Sequence, residues 1–407
     1  MSNKACRLKV LHVIPSVAAC RGGPSKAVLE MVLSLRRLGL DAEIATTNDD
    51  GASNLEVSLN RLIDYNGVPV RFFKRATPAI NSIREFSYSS SFARWLKGHI
   101  SNYDVIHVHA IFSYCSSYAM YLARKKSVPY VVRPIGQLQH WSLQQAKTKK
   151  EFYLKMIERS NLESASAVHF TAEIEQQEAN QRFKLSGHVI PLGIDPPDSP
   201  ELSKNQLFDH LSMPASASKF SILYLSRLHQ KKGLELLMHA LSRIDGAEFS
   251  LLIAGDGEAG YTTTLSTLSK RLKIDDQCYF LGHVSGQIKT ALLHHADLYA
   301  LTSYSENFGI SVLEAMASGL TPLITDAVAL SKVVSDNQIG YVCSVDIDDV
   351  EANLRGIFAN QQALKAKGEK ARNYTAEHYS WPNIAKQLEL LYLSLAASDA
   401  CSPETTQ

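Results

Sequence analysis

One feature constrains the fold more than any other: an alternation that runs along the chain, stops, and starts again. Short runs rich in β-branched residues are separated by longer segments of helical period, the pattern of parallel α/β domains. "KVLHVIPS" (9–16) predicts a strand, "SKAVLEMVLSLRRLGL" (25–40) a helix and "DAEIATT" (41–47) the next strand. Further strands are expected in "YDVIHVHA" (103–110), "YVVRPIG" (130–136), "SAVHFTA" (166–172) and "GHVIPLGID" (187–195). The stretch "PLGIDPPDSPELSKNQ" (191–206), rich in Pro, Asp and Ser, breaks the pattern and reads as an interdomain linker. Beyond it "KFSILYLSR" (219–227), "EFSLLIAG" (248–255), "CYFLGHV" (278–284), "DLYALTSY" (297–304) and "TPLITD" (321–326) predict strands, and "GLELLMHALSRI" (233–244) a helix. A helix is expected in "WPNIAKQLELLYLSLAA" (381–397), followed by a polar tail expected to be disordered.

A chain of 407 residues exceeds what one core serves. Two α/β domains of similar size, facing each other across a cleft, are the simplest reading. A formal net charge of +2 lacks the basic excess of a nucleic-acid binder, so no nucleic-acid partner is expected. No apolar run reaches the length of a transmembrane helix, and "MSNKACRLKVLHVIPS" does not have the layout of a secretory signal. Cys6, Cys20, Cys115, Cys278, Cys343 and Cys401 include no CxxC pair, which suits a reduced, cytoplasmic protein and supplies no metal cage.

In open parallel sheets, ligands sit at the carboxyl ends of the strands, so the loops there are searched first. "SENFGISVLEAMASGL" (305–320) follows an expected buried strand, and Gly319 should cap the helix "ISVLEAMAS" in the left-handed conformation. The free N–H groups around Phe308, Gly309, Ile310 and Ser311 would form a site for a phosphate or a sugar hydroxyl, next to Asn307. Glu306 on the rim could accept from sugar hydroxyls. Glu314, an ionised acceptor-only group, could take both protons of a ribose diol. Both acids could instead complement the helix dipole, each by about 0.3–1 kcal/mol. That explains Glu314 less well, because it interrupts the apolar face of Val312, Leu313, Met316 and Ala317.

"YLSRLHQKKGLELL" sets Arg227 at a strand end and Lys232 before a helix, where an anion would relieve repulsion from the dipole; a solvated turn is the alternative. Gly22 and Gly23 precede the first helix and would let backbone N–H groups approach a diphosphate, although most Gly-Gly pairs are simply turns. "GDGEAG" (255–260) spells a dinucleotide fingerprint but opens in mid-domain, without its acid at the end of the next strand, and NAD binding is rejected. "DID" (346–348) spells D-x-D in a polar stretch and reads as a surface turn, so no metal is expected. His107 and His109 alternate along a strand and share a face, where a structural role is the ordinary one. "KTKKEFYLKMIER" (147–159) carries five cations and two acids, with Phe152, Tyr153 and Met156 among them. It is either a solvated helix face or a surface that docks on anionic lipid.

Taken together, "ENFGISVLEAMASG" resembles the E-x7-E signature of the family-4 retaining glycosyltransferases, which have the GT-B fold. The resemblance implies two Rossmann-like domains facing across a cleft, with a C-terminal helix crossing back to the first. The implied boundaries are 1–196 for an acceptor-side domain, 197–375 for a donor-nucleotide domain, 376–397 for the returning helix and 398–407 for the tail. Glu306 would contact the donor sugar and Glu314 the nucleotide ribose. Arg227 and Lys232 match the family's R-x4-K-G element, which binds the donor diphosphate; Ser226 stands where a glycine often precedes that arginine. Gly22 and Gly23 match its N-terminal glycine loop. "DVIHVHA" is similar to its H-x-H element and gives His109 a place at the donor sugar. "VVRPIGQLQHWSL" (131–143) is similar to the subset acting in exopolysaccharide assembly, with Arg133 and Gly136 in matching positions; a structural salt bridge would explain Arg133 equally well. Leu192 departs from the asparagine common in the family.

The activity implied is metal-independent, retaining transfer of a hexose from a nucleoside-diphosphate sugar, as substrate, to a sugar or lipid-linked acceptor, with no cofactor. The chain would work in the cytoplasm or at the inner face of the membrane. Two alternatives stay open: a sugar-nucleotide epimerase, and a non-catalytic nucleotide-sugar-binding subunit of the same fold.

Overall fold

Strands β1 (Lys9–Val13), β2 (Asp41–Thr47), β7 (Val105–His109), β8 (Tyr130–Arg133) and β9 (Ala167–Phe170) form where near-continuous apolar runs allow burial of both faces. The computed structural model describes residues 7–80, 84–145, 147–214 and 220–400. The chain divides into two units: the first runs to Gly193 and resumes at Trp381, and the second is Ile194–Ser380.

The sheet of the first unit has eight strands in the order β10-β9-β8-β7-β1-β2-β6-β5, where β5 is Leu62–Tyr65, β6 Val68–Phe73 and β10 Gly187–Val189. All neighbours are parallel except β5 with β6, a hairpin closed by Asn66 and Gly67, both at positive φ. The residue pairs β3 (Asp49–Asp50) and β4 (Ser53–Asn54) form a small separate hairpin. On one face of the large sheet, Ile106, Val108 and Val132 pack with Phe92 and Leu96 of the helix Ser90–His99 and with Met120 and Ala123 of the helix Tyr114–Lys125. The opposite face carries a polar row. His12 pairs in register with His107, and His109 with Arg133, so these side chains and His169 share that face.

The second unit is a six-stranded, wholly parallel sheet in the order β13-β12-β11-β14-β15-β16. Its strands are β11 (Ser221–Leu225), β12 (Ser250–Ala254), β13 (Cys278–Gly282), β14 (Leu298–Leu301), β15 (Pro322–Thr325) and β16 (Tyr341–Cys343). This is the doubly wound nucleotide-binding order, with its topological switch between β11 and β14.

Three expectations need correction. The stretch 191–206 is not all linker: Ser203 and Gln206 form a capping box that starts the helix Lys204–His210. The region 376–397 is not one element. The helix Gln362–His378 packs on the helix Ile310–Ala317 of the second unit, and the returning helix begins afresh at Trp381 and runs to Ala400. The units therefore part at 193/194 and 380/381 rather than at 196/197 and 375/376. Within the first unit, the helix Trp381–Ala400 packs along the helix Gly23–Arg37, and the Trp381 indole donates to Glu30 at 3.0 Å. Of the expected tail 398–407, residues 398–400 continue this helix and 401–407, with Cys401, lie outside the described residues, as does Cys6. Among the described residues no helix is long and apolar enough to cross a membrane.

Candidate functional site

The sequence-derived residues fall into two sets, one in each unit, and each set lies where its sheet changes direction. In the second unit, Arg227 and Lys232 follow β11 and Glu306 follows β14, and these two strands are neighbours. Two separate loops thus reach the carboxyl edge side by side. Lys232 ends a 3-10 turn (Gln230–Lys232) capped by Gly233, whose φ of +65° is left-handed. A Cβ on Gly233 would lie 1.9 Å from the Thr302 carbonyl oxygen, so only glycine lets the two loops come this close. The Thr302 hydroxyl donates to the Gly233 carbonyl at 2.6 Å, and the Tyr304 N–H donates to that of Lys231 at 2.8 Å.

These ties bring the Lys232 ammonium into an ion pair with the Glu306 carboxylate, both side chains mostly buried. The Glu306 backbone is pinned in turn: its N–H donates to Ala327 at 3.0 Å and its carbonyl accepts from Ala329 at 3.1 Å. Arg227 is exposed beside them in the chain. Gly309, at φ +88°, caps the helix Ile310–Ala317, and its carbonyl accepts from Val312 and Leu313. The N–H groups of Ile310 and Ser311 in the first turn precede any intrahelical acceptor. The Phe308 ring turns inward, 6.2 Å from that of Tyr379, so only its backbone is available at the edge. The Ser311 hydroxyl meets the Tyr299 hydroxyl at 2.8 Å. Glu314, one turn on, is buried, and its carboxylate pairs with Lys289 at 2.7 Å. Gly319 has the left-handed φ expected of it, +78°.

The "GDGEAG" glycines have a structural explanation. A Cβ on Gly255 would meet the Ser226 carbonyl at 1.9 Å, and one on Gly257 would meet that of Leu228 at 2.4 Å. They let this loop lie against the segment that carries Arg227. In "DID", Asp346 is not in a turn but caps the helix Ile347–Ala359, accepting from Asp348 and Asp349, and Asp348 pairs with Arg243 at the surface.

In the first unit, Gly22 (φ +73°) caps the helix Gly23–Arg37, so Gly23 is its first residue rather than part of a free loop. This cap follows β1, and His109 ends β7, the next strand at the direction change. The expectation that His109 reaches a donor sugar is not carried by its geometry. The imidazole is fully buried, its Nε2 2.9 Å from Nδ1 of His12. His107 Nδ1 meets the Tyr392 hydroxyl of the returning helix at 2.7 Å, and His169 contacts the Ile190 carbonyl at 2.7 Å. Burial, with the Arg133 guanidinium next in importance, holds His12 and His169 down to about 3; burial and the neighbouring imidazoles hold His107 and His109 well below the usual range.

Arg133 forms no direct ion pair among the described residues; burial lowers it to about 10, opposed by the charge of the Glu175 carboxylate. The Gly136 N–H donates at 2.6 Å to Glu175, a carboxylate pushed up by burial that also accepts from the Thr171 N–H and hydroxyl. His12, His107 and His109 bring ring nitrogens within 4.8 Å of one another, a grouping the sequence reading did not foresee when it counted no metal cage. Its surroundings do not suit a dication: the neighbouring charge is Arg133, and the three rings pair with each other, with His169 and with the Tyr392 phenol rather than with carboxylates.

Sequence reasoning also missed Lys289, His12, His169 and Glu175. Lys289 stands alone in "SGQIKTALL" with no spacing to single it out, and the two histidines sit in strands where only register shows that they meet His107.

Two family models match the chain: "Glycosyl transferase 4-like domain" over residues 22–193 and "Glycosyl transferases group 1" over residues 211–374. The α-monoglucosyldiacylglycerol synthase of Streptococcus pneumoniae is 25% identical over 391 residues, 93% of this chain and 83% of that protein. The chain spans about half the length of the first curated relatives it matches, at 29–30% identity. Among solved structures, the sucrose-phosphate synthase of Thermosynechococcus elongatus superposes with a TM-score of 0.75 at 20% identity, covering 96% of this chain and all of that one. Anabaena HepE in complex with UDP and glucose gives 0.71 at 19% identity, covering 95% of this chain and all of that one. The structures share the GT-B fold, the two family models fall one on each unit, and the chain belongs to the group 1 and 4-like glycosyltransferases.

Proposed function

We propose that this chain moves a hexose from a nucleoside-diphosphate sugar to a hydroxyl of a sugar or lipid-linked acceptor, retaining the anomeric configuration without a metal. The observation that carries the reading is the Lys232–Glu306 pair at the β11/β14 switch, next to Arg227 and to the start of the helix Ile310–Ala317. As the bond from the anomeric carbon to the diphosphate oxygen breaks, charge grows on the leaving group. Arg227, Lys232 and the N–H groups of Gly309, Ile310 and Ser311 are fixed donors for it. Glu306 holds donor-sugar hydroxyls, with Asn307 and Phe308 shaping its loop, and Glu314 holds the ribose. The acceptor oxygen bonds to the anomeric carbon from the face the diphosphate leaves, and the leaving phosphate takes the acceptor proton, so no side chain has to act as base. His109 acts as a positioning residue beneath the loop Ala110–Ser113, and Arg133 and Gly136 lie on the acceptor side. The UDP bound to the Anabaena protein and the glycolipid product in the streptococcal name support this choice of donor and acceptor classes.

The test is incubation with UDP-, GDP- and ADP-hexoses and a panel of sugar and lipid-linked acceptors in excess EDTA, with the new linkage read by NMR. Retained configuration with EDTA present supports the reading. Inverted product, loss of activity on chelation, or isomerised donor without acceptor overturns it, the last in favour of an epimerase.

A peripheral contact with anionic membrane is proposed on a separate observation. Phe152, Met156 and Ile157 are exposed at 69%, 63% and 42% within the cationic segment 147–159, although Tyr153 turns inward to Ser117.

A further inference from the structure

The Lys289 ammonium lies 2.7 Å from the Glu314 carboxylate, and its side chain is 28% exposed while that of Glu314 is 11% exposed. Lys289 comes from the first turn of the helix Gly286–His295, which follows β13, and Glu314 from the helix that follows β14. Two elements distant in sequence therefore converge on one carboxylate. A carboxylate is acceptor-only, whereas an ammonium has three N–H donors and needs one of them for this contact. A vicinal diol offers both kinds of group: two protons to give and two oxygens that can accept. A lone carboxylate satisfies the protons only. A carboxylate with an ammonium at its side satisfies protons and oxygens together, through hydrogen bonds strengthened by charge on the protein partner.

We infer that Lys289 is a specificity-determining residue of the donor site, reading the ribose diol of the nucleoside diphosphate jointly with Glu314. The inference rests on the placing of Glu314 at the ribose proposed above. Its rival is a purely structural pair, in which Lys289 only offsets the charge of a buried carboxylate. The two differ in what they do to a ligand lacking one hydroxyl. A neutralising lysine affects ribose and 2′-deoxyribose nucleotides alike. A reading lysine sets the ratio between them.

The experiment is calorimetric titration of the full chain with UDP, GDP and ADP, then with the 2′-deoxy form of the tightest binder, on wild type, Lys289→Met and Glu314→Gln. Wild type is expected to favour the ribonucleotide by tens-fold or more, since a site built around a hydroxyl rejects the analogue without it. Lys289→Met is expected to cut that ratio about tenfold, the worth of one charge-assisted hydrogen bond. An unchanged ratio in Lys289→Met while wild type and Glu314→Gln differ overturns the role of Lys289 and leaves Glu314 at the ribose. Equal ratios in wild type and Glu314→Gln, or binding of none of the three nucleotides, overturn the ribose assignment and the inference with it. Should Lys289→Met not fold, Lys289→Leu, which likewise removes both the charge and the N–H donors, is read the same way.

Discussion

Lys232 and Glu306, 74 residues apart, share an ion pair because they leave the carboxyl ends of adjacent parallel strands. The pair joins the group proposed for the diphosphate to the group proposed for the sugar, so the two act as one unit. Glu306→Gln and Lys232→Met are each expected to lower kcat by 10²–10³-fold, on the order seen when a fixed transition-state donor is removed. The double variant should be little worse than either single one, because coupled residues are strongly non-additive. Multiplying losses in steady-state kinetics of all three variants would show that the pair is incidental.

Acid should weaken the first unit in particular. His12, His107, His109 and His169 are all held below their ordinary pKa near 6.5, so the unfolded chain binds more protons than the folded one below that pH. The stability due to the neutral cluster is fully present above about pH 6.5 and drains away as pH falls, toward about 3 for His12 and His169, by up to about 1.4 kcal/mol per pH unit for each imidazole. Denaturant unfolding at pH 7.5 and pH 5.5 checks this. Equal midpoints for the first unit would contradict it.

Gly233→Ala should destabilise the second unit by about 2–4 kcal/mol, combining left-handed strain with the clash against the Thr302 carbonyl. Donor binding should weaken as well, since Gly233 fixes the turn that presents Lys232. Thermal melts with and without nucleotide measure both effects, and a wild-type melting temperature would refute the close approach.

Replacing Phe152 and Met156 together by Asp should sharply reduce sedimentation with vesicles containing anionic phospholipid. Transfer to a water-soluble acceptor should be unchanged, because both side chains point to solvent. Equal sedimentation of the variant and wild type would remove the membrane proposal.

The architecture was readable because a parallel sheet buried on both faces leaves near-continuous apolar runs, and "DAEIATT" is a strand over all seven of its residues. The hairpin of β5 and β6 was missed although "YNGV" holds the Asn-Gly signal, because its outer strand alternates with exposed residues and lacks such a run. Glu314 could be singled out because a carboxylate in a small-residue apolar setting is costly without a partner, and Glu306 by its place on the loop at the strand's carboxyl end and by the E-x7-E resemblance. Who the partners are was not readable. Lys232 and Lys289 reach these acids only through strand order and helix placement, which no local spacing encodes. His109 differs: its motif was visible, but its full burial against His12, 97 residues away, was not.

The two places where the chain leaves and re-enters the first unit lie together. The Ile194 N–H donates to the Tyr379 carbonyl at 2.7 Å, Ile194 bridges Ser380, and Gly193 has no side chain because the Trp381 ring fills the space where a Cβ would stand. Topologically, then, residues 194–380 are an insert whose ends meet, held within a host formed by the two flanking segments. Such an insert can be exchanged as a cassette: another nucleotide-binding unit with equally close termini could be spliced between Gly193 and Trp381 without rethreading the host sheet.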